Sequence, residues 1–79
     1  MTIRTTLCSL EEGQSAKVTN IRINGSMRRR LQDLGITTGA CIKCIQKGPS
    51  GDPIAFLVRG ASIALRSEDA SGIEVSLIS

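Results

Sequence analysis

Cys41-Ile42-Lys43-Cys44 is the one stretch of this sequence whose residue types and spacing could do chemistry unaided. On a turn, two thiols at this spacing would chelate zinc or another soft metal, or cycle as a dithiol–disulfide pair. In a strand the same spacing sends the side chains to opposite faces, because Cβ directions alternate. Residues 41–46 read as a strand, with Ile42 and Cys44 on one face and Cys41, Lys43 and Ile45 on the other. Cys44 is then a small core residue and Cys41 an edge or surface position. The remaining cysteine, Cys8, makes the number odd, which argues against a disulfide framework. Cys41 and Cys44 therefore stand as the candidates for a metal or redox role, without a second pair to complete four ligands.

The rest of the chain is poor in catalytic groups. There is no histidine, so the usual general base, metal ligand and triad member are missing. The acids Glu11, Glu12, Asp33, Asp52, Glu68, Asp69 and Glu74 are scattered. No glycine-rich loop has phosphate-binding spacing followed by Lys-Ser or Lys-Thr. These observations support no catalytic residue and no cofactor site, and they point to a protein that works by binding.

Charge distribution suggests where. Ten Lys+Arg against seven Asp+Glu give a net charge of +3. No acid falls between Glu12 and Asp33, a gap that holds Lys17, Arg22, Arg28, Arg29 and Arg30. This basic stretch, 17–30, reads either as a solvated face or as a contact patch for an acidic partner. Nucleic acid is one such partner and small barrels bind it often. Against that, Phe56 is the only aromatic residue, so no row of rings exists on which bases could stack.

The elements that would position these residues are short. Leu7 and Leu10 anchor a lead-in over 7–13. Residues 14–23 form a strand in which Ala16 and Val18 share a face. Ile21 and Ile23 have the opposite parity, which predicts a bulge between Val18 and Ile21. Asn24-Gly25 is a turn signal. Residues 26–34 read as one helix, capped by Ser26, ended by Gly35, and facing the core with Met27, Leu31 and Leu34. Arg28, Arg29 and Gln32 then point outward, with arginines in a first turn where the helix dipole disfavours cations.

After the connection 36–39 the chain is β. The loop 47–53 ends in Asp52-Pro53, where an Asp before Pro shapes the turn through its own backbone bonds. Ile54, Phe56 and Val58 share a face of the next strand. Arg59-Gly60 reverses the chain, and Ile63 and Leu65 alternate beyond it. Residues 67–70 resemble a capped single helical turn, and Ile73, Val75 and Leu77 close the fold. The sum is one domain over 1–79, mainly β: a small, partly open barrel of about five strands with one short α-helix.

No apolar run approaches the roughly 20 residues of a spanning helix, and residues 1–10 do not read as a secretory signal. The default expectation is a cytoplasmic protein that does not insert into a membrane.

Three segments carry a family resemblance: Arg30-Leu31-Gln32-Asp33-Leu34-Gly35-Ile36 with Gly39; Gly51-Asp52-Pro53-Ile54; and Val58-Arg59-Gly60, Ile63-Ala64-Leu65-Arg66, Glu68-Asp69-Ala70 and Ile73-Glu74-Val75. In order and spacing the sequence resembles the ferrous iron transport protein A (FeoA) family, small cytosolic proteins with an SH3-like barrel. The family pattern has proline where this chain has Thr38, and no cysteine at 41 or 44. The resemblance implies an accessory or regulatory role in bacterial ferrous iron uptake. The implied partner is the membrane ferrous iron transporter that carries a cytosolic GTP-binding domain, which would recruit the chain to the inner face of the membrane. The residues expected to meet that partner are Arg28 and Arg29 on the helix, with Asp52 and Arg59 as further contacts. The family is grouped with transition-metal-binding proteins, but this chain shows no iron site.

Overall fold

Apolar residues alternate with polar ones along the longer strands, and the alternation sets which face turns inward. The computed structural model describes residues 3–78. Its strands are β1 (Arg4–Thr6), β2 (Ser15–Ile21), β3 (Cys41–Lys47), β4 (Ile54–Val58), β5 (Ala61–Leu65) and β6 (Ile73–Ile78). A 3-10 turn, Leu7–Ser9, follows β1; helix α1 (Ser26–Asp33) lies between β2 and β3, and α2 (Ser67–Ala70) between β5 and β6. Among the described residues the strands form one six-stranded antiparallel sheet in the order β1-β6-β2-β3-β4-β5.

β1 is a strand beyond those expected from sequence. Arg4, Thr5 and Thr6 have no apolar alternation to announce it. The strand is held by its backbone ladder to β6, with Thr5 opposite Val75. The bulge in β2 falls where the change of parity requires it, with the register to β6 shifting between Val18 and Asn20. A second shift, between Cys44 and Gln46, interrupts the pairing of β3 with β4.

One core cluster gathers side chains from both ends of the chain. Ala16 and Val18 of β2, Ile42 and Cys44 of β3, Ile54, Phe56 and Val58 of β4, and Ile73 and Val75 of β6 are all buried. Leu7, Leu10, Leu31, Ile36 and Ala70 cover the open side of the sheet. Each large aliphatic or aromatic side chain buried in this way contributes about 1.5–3 kcal/mol relative to an exposed one.

Helix α1 departs from its expected form in two respects. Its N-cap is Gly25, at φ 76°, with no side-chain cap bond; Ser26 is already the first helical residue. And only Leu31 of the stripe is fully buried: Met27 is half-buried, while Leu34 is 37% exposed. The reason lies in the next two residues. Gly35, at φ 94°, ends the helix in the left-handed conformation, and the Ile36 N–H donates to the Leu31 carbonyl at 2.9 Å. Ile36 thereby drops into the core and Leu34 is left at the rim.

Candidate docking face

Helix α1 has two flanks with different fates. On one, Arg28 reaches back and donates through Nη1 to the Ile21 carbonyl at 2.8 Å and more weakly to the Ile23 carbonyl at 3.5 Å. The guanidinium so satisfies carbonyls at the end of β2 and offsets its poor placement in the first helical turn. Arg28 was expected to point outward toward a partner; it is instead a half-buried clamp between α1 and β2. On the other flank Met27, Arg30 and Leu34 border an open groove of about 420 Å³, closed opposite by Ala64 and Leu65 of β5 and by Arg66, Glu68 and Asp69. The groove has an aliphatic floor and charged rims, the composition of a contact site for another macromolecule.

Arg29 is exposed, as expected. Arg59 is also exposed, at φ 51°, and with Gly60 at φ 80° it forms the two-residue reversal between β4 and β5. Its stem lies over the end of α1: a Cβ built on Gly35 would stand 3.1 Å from Arg59 Cδ. That close approach, together with its positive φ, explains why glycine occupies position 35.

Asp52 does not act on its own turn. Its Oδ1 accepts the Ser67 N–H at 2.8 Å and its Oδ2 accepts the Ser67 hydroxyl at 3.3 Å. It caps α2 from a distant loop, supplying an acceptor for the N–H of the first helical residue. Asp52 also lines, with Ser50, Pro53 and Arg66, a hollow of about 430 Å³ beyond the groove. Arg66 borders both cavities. Of the four residues expected to meet a partner, Arg29 and Arg59 are exposed near α1, while Arg28 and Asp52 are committed to internal bonds.

Of the groove residues, Arg30 was read from sequence only as part of the basic stretch and Leu34 only as a core-facing position. Leu34 falls at the spacing of a core residue. The signal against that was Gly35-Ile36, which offers a second candidate for the same core site.

The basic stretch 17–30 is not one patch. Lys17 projects from β2, opposite Cys41; Arg22 is paired with Glu74 at 2.7 Å; Arg28 is tied to backbone carbonyls. Cys41 is exposed and Cys44 buried, so their sulfurs lie on opposite faces of β3 and form no chelate. Burial pushes the Cys44 thiol above its ordinary value, an effect that Lys47 partly counters and Glu12 reinforces. A buried neutral thiol is a poor nucleophile and a poor metal ligand. Among the described residues, no three Cys, Asp or Glu side chains converge as a metal cluster, and no helix is long and apolar enough to cross a membrane.

The profile of the FeoA domain family matches residues 5–77. The chain belongs to the FeoA family. It is 34% identical over 73 residues to an Fe(2+) transport protein A/Fe(2+) transporter FeoB fusion protein of Porphyromonas gingivalis, a match that covers 92% of this chain but 9% of that protein. The solution structure of the FeoA protein from Chlorobium tepidum has a TM-score of 0.90 at 36% identity, covering 95% of this chain and 71% of that one. The crystal structure of Stenotrophomonas maltophilia FeoA, described as a prokaryotic SH3 domain protein and complexed with zinc, has a TM-score of 0.80 at 32% identity, covering 90% and 88%. The FeoA fold of this chain is thus the mainly β, SH3-like one that its sequence led us to expect, with one more strand.

Proposed function

We propose that this FeoA chain is an accessory, regulatory docking protein of ferrous iron uptake, binding the cytosolic GTP-binding part of a FeoB-type membrane transporter. The observation that carries this reading is the Porphyromonas gingivalis relative, in which a matching segment and a FeoB transporter share one polypeptide. Covalent fusion holds two modules at a high effective concentration, which is useful when the free modules also meet. The groove between α1 and β5 supports the reading from the side of this chain. Its aliphatic floor includes the exposed Leu34, and Arg30 and Arg66 offer contacts to carboxylates on a partner.

In this reading the chain acts by binding and performs no catalysis. Iron is the cargo of the transporter, and this chain carries no resident metal. Recruitment to the inner face of the membrane follows from the partner.

A calorimetric titration of the protein against the cytosolic portion of the transporter tests the proposal. Saturable binding is expected in at least one nucleotide state, and L34E weakens it by about tenfold or more, as buried interface anchors do. Absence of binding both with and without a GTP analogue contradicts it.

A further inference from the structure

The helical segments cover the core side of the sheet and leave its other face bare. The strand register orders what that face presents. One row crosses five strands as Ile78, Ser15, Lys43, Leu57 and Ser62. The row beside it runs Arg4, Ser76, Lys17 and Cys41. Side chains two apart on a strand share a face, so the two rows lie next to each other.

These rows hold three cations and no acid. Arg4, Lys17 and Lys43 are all exposed, and among the described residues none of them is in an ion pair. Glu74, one row on, is paired with Arg22. Glu12, beyond the start of β2, accepts the Lys47 N–H at 2.9 Å. Apolar surface collects here too. Ile45, Leu57 and Ile78, three of the large apolar side chains that the described residues leave exposed, stand on this face.

We infer that this outer face is a peripheral contact for an anionic lipid surface, with Lys17 and Lys43 over the headgroups and Leu57 and Ile78 beside them. The kind of cation selects the occupant. All three lysines of the chain lie in β2 and β3, and all seven arginines lie elsewhere. Lysine is a flexible, strongly hydrated point charge without the fork that grips a single carboxylate. It is depleted in protein–protein contacts, as are serine and alanine. It suits a surface whose negative charge is spread over many mobile headgroups, while its stem covers neighbouring apolar side chains. Nucleic acid fits less well, because the one aromatic residue, Phe56, is fully buried and offers no base a platform. A few cations and a few aliphatic side chains give weak, reversible adhesion that sets an orientation without anchoring the chain. The inference does not rest on the transporter, and its test contains none.

Co-sedimentation of the full chain with phosphatidylcholine vesicles, with and without phosphatidylglycerol, is the experiment. Binding is expected only to the anionic vesicles, with half-saturation on the order of 1 mM lipid, and it should fade as salt is raised. K17Q/K43Q weakens it by about thirtyfold, whereas K17R/K43R retains it because the charge is kept. L57S weakens it by about fivefold through lost apolar contact. L34S, in the groove on the far side of β5, leaves it unchanged. Equal binding to both kinds of vesicle overturns the inference, and so does no binding at about 10 mM anionic lipid. Indifference to K17Q/K43Q in a variant that still folds contradicts it as well. If duplex DNA captures the chain in a salt-dependent way and anionic vesicles do not, the face reads nucleic acid and the lipid account is wrong.

Discussion

At one end of the sheet, β1 is three residues long, carries Arg4, and lies beside the Arg22–Glu74 ion pair; at the other, β5 runs five uncharged residues along a groove that α1 leaves open. Both ends hang from the same core, so the difference is not one of stability. It is a difference in what each end presents at the surface. The β1 end is short, charged and flanked by the Arg22–Glu74 pair. The β5 end is uncharged and borders a groove that holds an exposed leucine at 34. A binding function belongs where apolar surface is left exposed beside an unprotected edge.

The largest expected effect tests whether the two ends share one core. Phe56 is fully buried beneath both halves, and F56A should destabilise the fold by about 3–5 kcal/mol. Urea unfolding followed by amide exchange should show both ends losing protection together. Separate melting of the β1 end would break the comparison at its root.

R28M removes the charged donor that joins α1 to the carbonyls of Ile21 and Ile23. A loss of about 1.5–3 kcal/mol is expected, the range for hydrogen bonds to charged groups. The same variant should leave transporter affinity nearly unchanged, because Arg28 faces away from the groove. A large affinity loss at intact stability would move the contact surface to the other flank of α1.

D52A strips the cap from α2 and should cost about 1 kcal/mol. The loss should appear as faster amide exchange at Ser67 and its neighbours at the β5 end, with β1 unaffected. R22A is the mildest change: the ion pair is exposed, with the arginine side chain 69% accessible, and such pairs contribute about 0.2–1 kcal/mol and less in high salt. Its effect should vanish in concentrated salt. A larger, salt-insensitive loss would mean that the β1 end is held by more than its ladder.

Much of this was readable in the residues. The alternation of Ile54, Phe56 and Val58, the parity change between Val18 and Ile21, and the left-handed glycine at 35 each state a local rule that the fold obeys. What escaped were long-range choices. Nothing local marks Arg4-Thr5-Thr6 as a strand, because its partner lies in β6. Asp52 looks like a turn-former until Ser67 is brought beside it. Arg28 and Arg29 are neighbours of identical type, and only the position of the β2 carbonyls decides that one clamps and the other projects. Leu34 carries a core-like spacing, and it is the competition with Ile36 that frees it for the groove.

The central claim is that this chain meets its transporter through the open end. Amide chemical-shift mapping tests it most directly, by adding the cytosolic portion of a FeoB-type transporter to the isotope-labelled protein. The account predicts shifts concentrated at Arg30, Leu34, Ala64 and Arg66, with Arg4, Thr6, Arg22 and Glu74 unmoved. Shifts confined to the β1 end, or none at saturating transporter, would contradict it.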